Sequence, residues 1–278
     1  MSGFSEDWLT AREALDHAVR SARLADAFAS VAGPRLLDLG TGTGSNIRYL
    51  APRLGADQHW TALDHDPALL DAARRSFASF AETRDLALAA RGSTIRMTGA
   101  GRRIEVLCRV HDLADLAALD LEGLDGVSAA ALLDLTSAAW LDRLADRLNE
   151  AGTPALFALS FDGRLHFLPE DDRDEEVRRR LVLHQRNDKG FGPALGPAAV
   201  GHLAARSERA GRRVELARAD WSLNRSRRAL TAMFLNGLAL TLDETPGPDL
   251  AAWVARRRLQ FDEDGLQISV GHQDLLVT

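Results

Sequence analysis

Between Asp38 and Gly44 the chain reads Asp-Leu-Gly-Thr-Gly-Thr-Gly, with glycine at every second position from 40 onward. Glycines so spaced, where an apolar run gives way to a helical pattern, let backbone amides approach a ligand at a helix N-terminus. The order G-x-G-x-G, with Ser45 next, departs from the dinucleotide fingerprint G-x-G-x-x-G, and no P-loop lysine follows. Alone, the loop suits a tight turn or another nucleotide site as well. Asp64, about twenty residues beyond the loop, closes the next apolar run, where a carboxylate can accept two hydrogen bonds from ribose hydroxyls. Asp66, directly before Pro67, reads as a helix N-cap. Asp112 follows the third apolar run and suits a ligand contact or a cap. Asp134 follows the fourth and suits, in equal measure, a general base or the cap of the helix holding Trp140.

These residues need a frame that gathers the ends of several strands. Leu9, Leu15, Val19, Ala22 and Phe28 recur at helical spacing and predict an N-terminal helical segment from Trp8 to Phe28. Arg35 to Leu39 reads as a strand, Ser45 to Leu54 as a helix and His59 to Leu63 as a second strand, after which Pro67 opens a helix running towards Ala90. Residues 95–97 and 104–108 flank the turn Gly99-Ala100-Gly101, a hairpin leading into strand three. Strand four spans Val127 to Leu133, a helix Trp140 to Asn149 and strand five Ala155 to Phe161. Asp162-Gly163 then predicts a turn that folds Arg164 to Leu168 back as a hairpin. Further on come a helix ending near Gln185, a loop over 187–193, a helix over 198–210 and strand six at 214–217. Two helices lie between Ser226 and Gln260, and a last strand runs from Leu266 to Val270. Strands apolar on both faces, alternating with helices, predict a mostly parallel sheet covered on both sides, with any ligand at the strands' carboxyl ends where strand order reverses.

Taken in order, Asp38 to Gly44, Leu63-Asp64-His65-Asp66-Pro67, His111-Asp112-Leu113 and Leu132 to Ser137 resemble the class I S-adenosylmethionine-dependent methyltransferases. The resemblance covers roughly Leu36 to Ser160, and the glycine loop is its most specific part. It implies an α/β fold: a doubly wound, Rossmann-like, mostly parallel seven-stranded sheet with helices on both faces, an N-terminal helical lid and helical insertions near strands five to seven. It implies one methyltransferase domain over 1–278, with the lid at 1–33, a cofactor-binding half at 34–161 and an acceptor-side half at 162–278. S-adenosyl-L-methionine, leaving as S-adenosyl-L-homocysteine, is the implied cofactor, and Asp38, Gly40, Thr41, Gly42, Gly44, Asn46, Asp64, His65, Asp112 and Leu113 are its implied contacts, Asp112 accepting from the adenine amino group. Arg20 of the lid would pair with the methionine carboxylate. The helices inserted between strands six and seven depart from the family pattern, where a short hairpin joins them; this bears on the acceptor, not on the cofactor.

On the acceptor side, Asp134 and His184 are the candidates for acid and base work. Trp8, Arg12, Ser137, Arg186, Lys189, Phe191, Trp221 and Asn224 are the candidates for substrate contact. The loop from His184 to Gly192 gathers a histidine, two cations and permissive glycines as an acceptor lid, against the alternative of a solvated loop. Lys189 is the only lysine in the chain. Acidic residues number 40 against 34 basic ones, a net charge of −6, so bulk charge favours neither nucleic acid nor anionic membrane. A lone cysteine, Cys108, excludes an intrachain disulfide and a thiolate metal site, and the histidines show no paired ligand spacing, so no metal is expected. With no export signal or membrane span, the expectation is a cytoplasmic enzyme of bacterial type, capable of forming a homodimer, that methylates oxygen, nitrogen or carboxylate of a small molecule. Arginine groups at 178–180, 225–228 and 256–258 keep a nucleic-acid or protein substrate as the alternative. A nicotinamide oxidoreductase and a non-catalytic cofactor-binding protein stand behind it.

Overall fold

Consecutive residues of the central strands point to opposite layers, and this alternation organises the molecule. Leu37, Phe157 and Leu275 join one buried cluster with Trp140, Leu144 and Leu203, while their neighbours Leu36, Leu156 and Leu276 join a second with Phe28, Ile47, Trp60 and Phe77. A computed structural model describes residues 5–119 and 121–278. The chain forms α1 (Glu6–Val19), α2 (Ala22–Val31), β1 (Arg35–Leu39), α3 (Ser45–Leu50), β2 (Asp57–Asp64), α4 (Pro67–Glu82), β3 (Ala87–Arg91), β4 (Thr94–Gly99), β5 (Arg102–Val110) and β6 (Gly126–Ala130). It continues through α5 (Ala138–Ala151), β7 (Ala155–Leu168), α6 (Asp174–Gln185), α7 (Ala199–Arg209), β8 (Val214–Arg218), β9 (Trp221–Leu223), α8 (Arg228–Glu244), α9 (Ala251–Asp262) and β10 (Gln267–Val277).

Among the described residues the sheet has ten strands in the order β3-β4-β5-β2-β1-β6-β7-β10-β8, with β9 also on β10. The run β5-β2-β1-β6-β7 is parallel throughout, and β10 lies antiparallel between β7 and β8. The mostly parallel, doubly wound sheet is thus as expected. Its count is corrected from seven to ten, because the hairpin β3–β4 extends the β5 edge and β9 adds a short strand at the other side. Strand order reverses between β1 and β6, which places the candidate site over the carboxyl ends of β1, β2, β5 and β6.

Several expected boundaries move for local reasons. The N-terminal helical segment is two helices, because Ser21 turns the chain and caps α2 by accepting from the Leu24 amide. The helix opened by Pro67 ends at Glu82, and 87–91 pairs with β4 as a strand instead of continuing helical towards Ala90. Asp162-Gly163 does not reverse the chain. β7 runs on to Leu168 along β10, and the pairing jumps from Phe161↔His272 to Leu165↔Val270, so the turn signal becomes a bulge. Gly271 lies opposite, and a Cβ there would clash with Asp162 Oδ1. Strand four ends at Ala130, and 133–135 form a 3₁₀ turn. The helices after β7 cover a third cluster, in which Phe161, Phe167, Val177, Leu230, Trp253 and Ile268 meet.

A buried side chain ties the N-terminal helices to the sheet. Asp274 of β10 accepts from the Ser21 amide between α1 and α2 at 2.8 Å and from the Leu159 amide at 2.9 Å. Leu159 has a φ of 59°, a conformation costly for a side chain with a Cβ, and sits where the β7–β10 pairing jumps from Ser160↔Gln273 to Phe157↔Leu275. Replacing Asp274 by Ala leaves two amides without partners, and we expect a loss of roughly 2–4 kcal/mol in urea denaturation. A loss below about 0.5 kcal/mol would mean that the anchor is not Asp274.

Candidate functional site

The glycine loop is shaped from below. Asp38 is fully buried and takes hydrogen bonds from Thr41 Oγ1 at 2.7 Å, Ser128 Oγ at 2.7 Å and Asn46 Nδ2. Burial pushes its pKa up, against these three donors, which pull it down. Both carboxylate oxygens are therefore engaged inside, and Asp38 holds the loop rather than reaching a ligand, as does the Thr41 hydroxyl; this corrects their expected role as direct contacts. Gly40, Gly42 and Gly44 have φ of 64°, 53° and 81°, which only glycine adopts without strain. A Cβ on Gly44 would stand 2.7 Å from the Phe77 ring, and one on Gly42 would stand 3.1 Å from Leu9 Cδ1, so α1 lies directly over the loop.

Asp64, at the end of β2, is buried and faces the same loop. Its Oδ2 accepts from the Gly42 amide at 2.8 Å and its Oδ1 from the Asp66 amide at 3.0 Å. The His65 ring lies 3.3 Å from Oδ1 but is mostly exposed. Asp66 caps α4 through the Ala68 amide, as read from its place before Pro67. Asp112 is exposed beyond β5, with Oδ1 on the Ala114 amide at 2.9 Å. Leu113 and Leu132 both approach the position a Cβ on Gly40 would take, at 3.9 and 3.5 Å, so the ends of β5 and β6 meet beside the first glycine.

Helix α1 closes the site. Glu13 pairs with Arg48, and His17 Nε2 lies 3.0 Å from Ser45 Oγ, both across to α3. Arg12, Asp16 and Arg20 recur at four-residue steps and share one inward face. Arg12 Nε donates to Asp16 Oδ2 at 2.7 Å, and Trp221 Nε1 to Asp16 Oδ1 at 2.9 Å. The Arg12 guanidinium stacks 4.7 Å above Trp221, which Trp8 meets edge-on at 6.0 Å. Arg20 stacks 4.1 Å over Tyr49; burial lowers its pKa, opposed by Asp274, Tyr49, Asp16 and Asp38, and its Nη2 is buried with no partner.

Beyond β6, Asp134 stands 5% exposed in the 3₁₀ turn. It does not cap α5: Ser137 does, accepting from the Trp140 amide at 3.3 Å. Ser137 is thereby a cap, not an acceptor contact. Asp134 Oδ1 is buried without a partner, and the backbone amides of Asp134 itself and of Phe161 favour the ionised form. Burial pushes its pKa up to about 6, and the Arg12 guanidinium restrains the rise.

Among the other candidates, His184 is 3.3 Å from Glu244, at the C-terminal end of α8. The end of α6 that carries it lies beside Gly196, and the Leu195 amide donates to the Thr136 carbonyl at 2.8 Å, which joins this segment to the turn after β6. Arg186 is exposed at the end of α6, Lys189 sits near His184, and Phe191 packs edge-on against Trp140 at 5.4 Å as part of the core. Asn224 caps the turn before α8 through the Ser226 amide. The sequence reading missed Asp16 and His272. Asp16 was findable from its spacing between two arginines on one helix face, whereas His272, alone in an apolar strand, carried no signal.

No protein-family model and no curated protein matches the chain. Among solved structures, a cyclopropane-fatty-acyl-phospholipid synthase-like protein from Lactobacillus casei is 16% identical over 99% of this chain and 95% of its own, with a TM-score of 0.52. An O-methyltransferase family protein from Burkholderia thailandensis is 15% identical over 76% of this chain, TM-score 0.47; this chain spans about half, 53%, of its length. A precorrin-6y C5,15-methyltransferase from Geobacter metallireducens is 13% identical over 73% of this chain and 77% of its own, TM-score 0.38. The likeness to the Lactobacillus protein extends along nearly the whole chain and is one of fold, the Rossmann-like α/β architecture read from the sequence.

Asp134 gives the site a measurable signature. Its folded pKa of about 6 lies above the unfolded value of 3.8, so its contribution to stability is present below pH 3.8 and is lost as pH rises through 6. The difference is about 3 kcal/mol at most. Urea denaturation at pH 4 and pH 7 should show Asp134→Asn gaining stability relative to the parent as pH rises. Equal pH dependence in both would contradict the buried carboxyl.

Proposed function

We propose that the chain is an S-adenosylmethionine-dependent methyltransferase acting on a small-molecule acceptor. The observation that carries this reading is the set of buried polar atoms without partners around the glycine loop: Arg20 Nη2, Thr43 Oγ1 and Asn46 Oδ1. Unpaired polar groups are costly inside a protein. A cation, a hydroxyl and an amide oxygen fit the carboxylate and ammonium of a methionine end. Asp64 has used two of about four acceptor positions on the Gly42 and Asp66 amides, which leaves room for two ribose hydroxyls. Leu113 and Leu132 supply apolar walls beside Gly40, and the Asp112 carboxylate is exposed next to them, placed to accept from an adenine amino group.

When bound, S-adenosylmethionine supplies a methyl on a sulfonium, already a good leaving group. The residues of the chain have then to orient the acceptor, keep water out and receive a proton. Helix α1 covers the loop through Leu9 and the Glu13–Arg48 pair, excluding solvent. Asp134, with a pKa near working pH, is suited to receive the proton. Its burial supports a small acceptor, since a duplex or a folded protein could not reach a carboxylate only 5% exposed. The net charge of −6 points the same way.

Replacing Asp64 by Ala should weaken adenosylhomocysteine about tenfold or more in calorimetry, the equivalent of one or two hydrogen bonds. Gly42→Val should do the same, because valine meets both a φ of 53° and Leu9. Circular dichroism should show both variants folded. Unchanged affinity in both would contradict the assignment.

A further inference from the structure

Parallel strands are ordinarily buried on both faces, because the helices that connect them cover the sheet above and below. At the β3 end of this sheet, helix α4 packs through Phe77 and Phe80 on the side that carries Trp60, Ile95, Met97 and Val106. The residues alternating with these point the other way, and that face lies open. On it Arg91, Arg96, Arg103, Leu107 and Arg109 are exposed. The register sets Thr61, Leu107, Thr94 and Arg91 side by side on β2, β5, β4 and β3. Charge on this face is unbalanced. Glu105 is shared between Arg96 at 2.7 Å and Arg103 at 3.3 Å, and Asp57 lies 3.6 Å from His59. Arg91 and Arg109 have no acidic partner among the described residues. On a chain of net charge −6 the face is thus positive, with Leu107 between two threonines at its centre.

We propose that this face docks an acidic amphipathic helix of a partner protein, which lays an apolar stripe along Leu107 and sets carboxylates against Arg91 and Arg109. The partner supplies the helix layer that these strands lack, whatever the glycine loop binds. The dimensions agree. Four strands at about 4.8 Å spacing make a face roughly 14 Å wide, and from Arg103 to Arg109 β5 runs about 20 Å. A helix is about 10–12 Å across and covers 20 Å in about thirteen residues. An apolar centre with arginine around it is also the composition of protein interfaces. Single-stranded nucleic acid binds through stacking platforms, whereas Trp60, the one tryptophan, tyrosine or phenylalanine in β2 to β5, is buried in the other layer. A second copy would set arginines against arginines.

The test uses the full chain and, as probe, a synthetic helical peptide of about thirteen residues with leucine along one face and glutamate on either side of it. Fluorescence anisotropy should show saturable binding at least tenfold tighter than for the same peptide with lysine in place of glutamate. In carbon-13 spectra of the protein the Leu107 methyls should shift on titration, and those of Leu88, which pairs with Met97 on the α4 side, should not. The double variant Arg91→Glu, Arg109→Glu changes two exposed side chains and should keep its circular dichroism. It should weaken the acidic peptide tenfold or more and turn the preference to lysine. No saturable binding, binding without a change at Leu107, or a preference unaltered by the charge reversal overturns the proposal. Tighter binding of an oligouridylate with the same Leu107 shifts would give the face to nucleic acid, and a dimer in sedimentation that the double variant abolishes would give it to a second copy; either result overturns the proposal as well.

Discussion

A single buried carboxylate, Asp38, sets the geometry on which the site depends. Three glycines in left-handed conformations do not hold a loop by themselves, since glycine loses more freedom on folding than any other residue. Asp38 supplies the constraint from the end of β1 by binding Thr41 in the loop, Asn46 in the helix that follows and Ser128 in the neighbouring strand β6. The loop is thus fixed to a helix and to the strand across the topological switch at once. Asp64 completes it from β2 through the Gly42 amide. Two carboxylates from adjacent strands, one below the loop and one beside it, hold its backbone in place.

Helix α1 builds on that platform. One set of its residues, Leu9, Glu13 and His17, seats it on the loop and α3, while Arg12, Asp16 and Arg20 turn inward. Asp16 binds Arg12 and Trp221 directly and acts electrostatically on Arg20 and Asp274, which joins the glycine-loop side of the site to the Trp221 side. A movement of α1 therefore changes both sides together, which under the proposed function is what an element that admits ligands and then excludes water has to do.

The sequence was most legible where local chemistry decides structure. The strand, glycine loop and helix at 35–50, the cap at Asp66 and the hairpin around Gly99 all follow from neighbours within a few residues. Legibility failed where a distant partner decides. Asp162-Gly163 is a hairpin signal, yet β10, more than a hundred residues later, pairs with both sides of it and converts it to a bulge. Ser137 and Asp134 compete on paper to cap α5, and only the 3₁₀ turn over 133–135, which takes up Asp134, leaves Ser137 at the N-cap. His272 became visible only once its strand was placed against β7 and Trp221. Phe191 and Asn224 were chemically plausible site residues that packing and capping fully account for.

If this platform recognises a sulfur nucleoside, thermal melting of the purified protein will show it. With adenosylmethionine or adenosylhomocysteine at about a hundredfold above Kd, selective binding to the native state adds about 2.7 kcal/mol and should raise the midpoint by several degrees. NAD and NADP should leave it unchanged. A rise with NAD or NADP alone would contradict the account and transfer the glycine loop and Asp64 to a nicotinamide enzyme.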